Sequence, residues 1–158
     1  MRLGLLLPVA VIVLDQVSKV LVLHIMEPYE LVQWTTFFNW VLVLNTGVSF
    51  GLFAGEEAFL RWLLVSLAVA VSVWLSVWLY REKRPLCFWA VGLILGGALS
   101  NALDRVVRHA VVDFIDFHLA NWHWPAFNLA DTAITIGVVL YVFASLRDHY
   151  GSGKLECK

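Results

Sequence analysis

Charge is scarce in this 158-residue chain: Asp, Glu, Lys and Arg make up 15% of it, against about 25% in an ordinary soluble domain. Eleven basic residues nearly balance twelve acidic ones, for a net charge of −1. No block of like charge is long enough to track a phosphate backbone, which argues against nucleic acid as a partner. Cysteine is nearly absent: Cys87 beside a basic loop and Cys157 in the tail form neither a disulfide framework nor a metal-ligand cluster. What the chain does have is apolar residues, 61% of the total against roughly 45–50% in soluble domains. The composition is that of a membrane protein. Four helical spans of about 20 residues would use about 80 positions, and the remainder leaves no room for a large soluble domain.

Apolar runs long enough to cross hydrocarbon fall at residues 3–25, 58–80, 85–103 and 129–146. The first has only Arg2 as a basic flank and no small-x-small cleavage site before Asp15, so it reads as a retained span and not as a secretory signal. Residues 26–57 are rich in aromatic and β-branched types, as in Leu31-Val32-Gln33-Trp34 and Trp40-Val41-Leu42-Val43-Leu44, and Asn45-Thr46-Gly47 is turn chemistry. Residues 110–118 are strand-like, and Asn121-Trp122-His123-Trp124-Pro125 forms a Trp-rich turn. A small sheet on the membrane surface fits these two stretches. The expected architecture is one membrane unit over residues 1–150, four transmembrane helices with a small surface sheet, followed by a flexible tail at 151–158. Arg2, Arg81, Lys83, Arg84, Arg147, Lys154 and Lys158 lie on the side of the termini and the middle loop, so the termini are predicted to be cytoplasmic and the two long loops external.

Several polar residues interrupt the apolar pattern. Asp15 and Lys19 lie four apart on one face of the first span, as a favourable intrahelical pair requires. Ionisable groups inside a span are costly and are kept where they find a partner or water, which leaves an anchoring role and direct substrate contact both open. Gly92, Gly96 and Ser100 share one face of the third span and admit a close helix neighbour. Asn101, Asp104 and Arg105 are placed on or just past its last turn, where Arg105 has the geometry for a two-pronged carboxylate pair or for several loop carbonyls.

Asp113 interrupts Val111-Val112-Asp113-Phe114-Ile115, and Asp131 opens the fourth span after Phe127-Asn128-Leu129-Ala130. Two carboxylates brought together in a poorly hydrated site share a proton. One then takes a proton from water while the other donates to a carbonyl oxygen, which suffices to hydrolyse an amide without metal. Asn128 followed three residues later by an acid also has the form of a helix capping box. A competing set, His109, Asp113, Asp116, His118 and His123, has the donor types for zinc but no established spacing.

Five segments in order resemble the bacterial lipoprotein signal peptidases (signal peptidase II): Asp15-Gln16-x-x-Lys19, Asn45-x-Gly47-x-x-Phe50, Gly96-Gly97-Ala98-Leu99-Ser100-Asn101-x-x-Asp104-Arg105, Val111-Val112-Asp113-Phe114, and Pro125-Ala126-Phe127-Asn128-x-Ala130-Asp131-x-Ala133-Ile134. The resemblance implies four transmembrane helices with an extracytoplasmic β-cradle. It implies a monomeric, metal-free and cofactor-free aspartic endopeptidase that acts at the outer face of the bacterial cytoplasmic membrane among its lipids. Its substrates would be diacylglyceryl-modified prolipoproteins, cut before the lipidated cysteine, and the cyclic peptide globomycin would inhibit it. By position Asp113 and Asp131 match the catalytic pair. Asp15, Lys19, Asn45, Gly47, Asn101, Asp104, Arg105 and Asn128 match positions that shape the site or contact substrate. Ser100 departs from the family pattern, which usually has Gly there, and Val48-Ser49 replaces a common Ala-rich pair. The alternative from a different class is a small four-helix channel or transporter with Asp15 and Lys19 lining its pathway.

Overall fold

The computed structural model describes residues 6–47, 57–82 and 84–152. In chain order these form α1 (Leu6–Ile25), β1 (Leu31–Gln33), β2 (Phe38–Asn45), α2 (Glu57–Arg81), α3 (Pro85–Val107), β3 (Val111–Leu119), β4 (Trp122–His123) and α4 (Leu129–Ser152). All four helices are long and apolar enough to cross a bilayer. Their outer faces carry exposed large apolar side chains such as Leu14 and Leu21 on α1, Leu67 and Trp74 on α2, and Val139 and Phe143 on α4. Hydrocarbon accepts such faces, whereas water would not.

α3 is the hub. Of its apolar window 56% is buried, against 22–28% for the other three helices, and it packs on α1, α2 and α4. Pro85 starts it, a position where the missing N–H is one of the unpaired donors anyway. Gly96 and Gly97 sit back to back and set two close approaches. A Cβ on Gly96 would lie 2.8 Å from Val11 Cβ and 2.9 Å from the Pro8 carbonyl of α1, and one on Gly97 would strike the Ala130 carbonyl of α4. The Gly92/Gly96 face therefore packs as its spacing predicts, while the Gly97 contact with α4 does not follow from that spacing. Gly97→Val is expected to force α3 and the first turn of α4 apart, at a cost of about 1–3 kcal/mol. A thermal midpoint in detergent equal to that of the unmodified protein would contradict this.

The span at 85–103 was expected to hand over to a loop near Asp104. Instead α3 continues through Val107, and Arg108 caps it by donating its backbone N–H to the Asp104 carbonyl. It stops where His109 adopts φ 67°, a left-handed conformation that breaks the helical ladder. Asn101, Asp104 and Arg105 therefore all lie on the helix and none just past it. α4 likewise outlasts its expected span and includes Gly151 and Ser152. The remainder of the expected tail, 153–158, lies outside the described residues, as do Val48, Ser49 and Phe50.

The four strands form one antiparallel sheet in the order β1-β2-β3-β4, at the bundle end where α1 and α3 finish and α4 begins. Two of its residues fall inside the expected Trp-rich turn, because His118 and Leu119 pair with His123 and Trp122. Val22 of α1 and Met26, just past its end, form one apolar core with Leu42, Val112 and Phe114, and Trp40 stacks on Phe114 with centroids 5.8 Å apart. That core fixes the sheet to α1. The β2–β3 register shifts between Trp40 and Val43, after which Val43 faces Asp113 and Asn45 faces Val111. An Ile115–Phe127 bridge then draws the segment before α4 alongside β3.

Candidate active site

Strand pairing brings Asn45 beside Asp113: Asn45 Nδ2 donates to Asp113 Oδ2 at 2.9 Å. Asn45 Oδ1 in turn accepts the Gly47 N–H at 2.9 Å, and Gly47 has φ 82°, so the expected turn is a side-chain-closed one with glycine at its left-handed position. The other Asp113 oxygen accepts from Asn128 Nδ2 at 2.6 Å. Asp113 is 2% exposed. Burial and the nearby Asp131 charge raise its pKa to about 6, against the opposing pull of the Asn45 and Asn128 hydrogen bonds and the Lys19 charge.

Asn128 also opens α4. Its Oδ1 accepts the Asp131 N–H at 2.9 Å, and Asp131 Oδ2 accepts the Asn128 N–H at 3.3 Å, a reciprocal capping box. Asp131 Oδ1 accepts from Asn101 Nδ2 at 2.8 Å. Asn128 therefore bonds both carboxylates at once, and the cap and the carboxylate pair are one arrangement. Asn45→Ala is expected to raise the Asp113 pKa by about one unit, because the lost bond favours the ionised form. Side-chain carboxyl ¹³C shifts followed through a pH titration would report it, and a downward move would refute the assigned cause.

Behind this pair lies a buried charged cluster. Lys19 Nζ is 2.6 Å from Asp15 Oδ2 and 2.8 Å from Asp104 Oδ2, all three side chains having no exposed surface, and it donates to Asn101 Oδ1 at 3.0 Å. Asp15 Oδ1 accepts the Ala130 N–H at 2.8 Å, which ties α1 to the first turn of α4. Arg108 pairs with Asp104 and donates to Gln16 Oε1 at 2.8 Å, so two carboxylates meet two cations. Fully enclosed by protein partners, Asp15 and Lys19 do not suit the lining of a conduction pathway.

Among the described residues Arg105 makes neither the two-pronged carboxylate pair nor bonds to several loop carbonyls. Its Nη1 donates to the Asn101 carbonyl at 3.2 Å and its buried Nε has no hydrogen-bond partner among the described residues, because helix α3 continues through it and directs it along its own turn. The guanidinium still lies within electrostatic reach of Asp131 and Asp113. Among the described residues no three of the candidate metal ligands converge, although Asp116, His118 and His123 stay neighbours. Asp113 is taken up by two asparagines, while Asp116 accepts from Asn39 Nδ2 at 2.8 Å and pairs with His123 Nδ1 at 2.9 Å.

Three contributors escaped the sequence reading. Ser100 donates to Asp15 Oδ2 at 2.7 Å as well as packing, and Gln16 Nε2 reaches Asp104 Oδ1 at 2.9 Å. Arg108 was the most legible of them, since Asp104 and Arg108 are an acid and a base four residues apart on a helix.

Fold and site together define a multi-pass membrane enzyme. Two solved structures described as bacterial membrane enzymes superimpose on the chain at 29% identity. One has a TM-score of 0.82 and covers 100% of this chain and 94% of its own; the other has 0.81, with 94% and 95% covered. The chain belongs to the signal peptidase (SPase) II family, whose sequence profile matches residues 7–147, and it is thereby a protease. Lipoprotein signal peptidases with which it aligns include one from Polynucleobacter necessarius, 43% identical over 145 residues and covering 90% of this chain and 88% of that one. Others are from Cupriavidus necator, 46% identical with 87% and 79% covered, and Yersinia enterocolitica, 45% identical with 87% and 82% covered.

Proposed function

We propose that this protein is an aspartic endopeptidase that removes the signal peptide from diacylglyceryl-modified prolipoproteins, cutting before the lipidated cysteine. The observation that supports it best is that Asn128 binds Asp113 and Asp131 together at the end of the bundle. Burial makes Asp113 the better seat for a shared proton. Asp131 takes a proton from water as its oxygen attacks the scissile carbonyl carbon, and Asp113 gives its proton to the carbonyl oxygen. Collapse of the resulting diol passes the proton on Asp131 to the leaving amine and returns one to Asp113. The products are a new carboxyl terminus on the signal peptide and a free amino group on the lipidated cysteine. Asn45, Asn101 and Asn128 hold the carboxylates in place, and Arg105 is the cation available to the substrate backbone.

The protein works as a monomer, without cofactor, in the bacterial cytoplasmic membrane. Its termini are cytoplasmic and its site lies near the outer face, a layout supported by the bias of Lys and Arg. Reporter fusions at Glu56 and His118 are expected to read as external and one at Lys83 as internal; a cytoplasmic signal from either long loop would invert the layout. The enzymatic reading is tested by incubating the purified protein with a synthetic diacylglyceryl-modified prolipoprotein. Cleavage before the lipidated cysteine is expected, unaffected by a chelator and blocked by globomycin. Activity that vanishes with chelator and returns with zinc would transfer the chemistry to the histidines, and no cleavage at all would end the proposal.

A further inference from the structure

The space at Asp131 continues away from Asp113. A cavity of about 280 Å³ runs from Asp131 and Thr132 down α4 to Thr135 and Ile136, roofed by the rings of Trp124 and Phe127. Thr135 is exposed and Ile136 is 48% exposed, on a stretch of α4 that belongs to an apolar span. In a bilayer this groove opens sideways into hydrocarbon, with the Asp131 carboxylate at its head. The Thr132 hydroxyl is taken up by the Asn128 carbonyl at 2.9 Å, which leaves the Thr135 hydroxyl and the Trp124 indole as the polar groups on otherwise apolar walls below Asp131.

Those features select among the parts of a lipidated precursor. An extended peptide in the groove would bring a row of N–H and C=O groups, more than the polar groups of Thr135, Trp124 and Asp131 can satisfy, a heavy cost at membrane depth. An acyl chain is narrow and needs no hydrogen bonds. The scissile bond adjoins the lipidated residue, and the glyceryl group lies only four bonds from the scissile nitrogen, so it arrives beside the carboxylates.

We propose that this groove seats one acyl chain of the substrate's diacylglyceryl group, an inference that rests on the function proposed above. Lipid and groove are equally apolar, so seating gains little from the hydrophobic effect. What it supplies is orientation, by holding the lipidated side chain so that the scissile carbonyl lies over Asp113 and Asp131.

Thr135→Trp fills the groove from its exposed side, and Ile136→Trp is the replacement variant if the first does not fold. Val139→Trp, one helical turn beyond Thr135 on the outer surface, is the control. Each purified variant is compared with the unmodified protein on two prolipoprotein peptides that differ only in their acyl groups, palmitoyl or acetyl. The expected result is a fall of about 10-fold or more in kcat/KM for Thr135→Trp on the palmitoyl substrate, with little loss on the acetyl substrate and none for Val139→Trp on either. An unchanged rate on the palmitoyl substrate overturns the inference. An equal loss on both substrates overturns it too, since the block would then act on the signal peptide or on Asp131 itself. Failure of the unmodified protein to cut either peptide would instead count against the proposed function.

Discussion

Asp113→Asn and Asp131→Asn are each expected to abolish turnover of a lipidated prolipoprotein, by roughly 10²–10⁴-fold or more, while leaving the protein folded. Asn keeps one of the two acceptor oxygens, so at each position one of the paired bonds, from Asn45 or Asn128 to Asp113 and from Asn101 or the Asn128 N–H to Asp131, survives, while the other gives way to an NH2 facing a donor; that costs about 1–3 kcal/mol, which a side chain of the same shape in an otherwise intact fold can bear. What disappears is a group able to take up and return a proton. Capping alone predicts something different: the lost charge in the first turn of α4 would be worth about 0.3–1 kcal/mol, and activity would survive. The double variant is expected to be no worse than either single one, because residues that act as a unit give non-additive losses. The unmodified enzyme should lose kcat/KM at both low and high pH. The sign at the alkaline side follows from Asp113: its pKa of about 6 lies above the ordinary carboxylate value, so the shared proton begins to leave as pH rises through that value, and activity declines above it. Substantial turnover by either folded Asn variant would end the assignment of the pair as catalytic.

The second large effect is on stability. Lys19→Met leaves Asp15 and Asp104, both without exposed surface, with Arg108 as the cation remaining in the cluster. Uncompensated buried charge of this kind costs about 3–5 kcal/mol, a large share of the roughly 5–15 kcal/mol that holds a typical protein folded. Asp15→Asn costs less, because Lys19 keeps Asp104 and Asn101, yet it still disturbs the bonds from Ser100 and the Ala130 N–H. The combination Asp15→Leu with Lys19→Met restores charge balance between Asp104 and Arg108 and is expected to be more stable than Lys19→Met alone. Thermal midpoints in detergent decide this, and a double variant less stable than Lys19→Met would show that charge pairing does not govern the cluster. A fully stable but inactive Asp15→Asn protein would move Asp15 from anchor to substrate contact.

Local patterns in the sequence reached a long way. The four spans follow from runs of apolar residues, because a bilayer admits only segments of sufficient length with their backbone bonds satisfied internally. The Asn45–Gly47 turn, the Asn128–Asp131 capping box and the Asp15–Lys19 pair all join residues two to four apart, where spacing alone determines what can meet. Assigning roles to Asn101, Asp104 and Arg105 depended on the resemblance carried by five ordered motifs, since nothing in their spacing names a partner. Tertiary structure decided the rest. Asn101 meets Asp131 across 30 residues and Gln16 meets Asp104 across 88, contacts set by how α1 and α4 are rotated against the glycine faces of α3. Periodicity shows that a helix has a face but not which neighbour covers it. Likewise aromatic and β-branched content marks β2 and β3 as strands, yet only their register, shifted between Trp40 and Val43, places Asn45 beside Asp113 and Asn39 beside Asp116. A one-residue slip would send each of those side chains to the opposite face of the sheet.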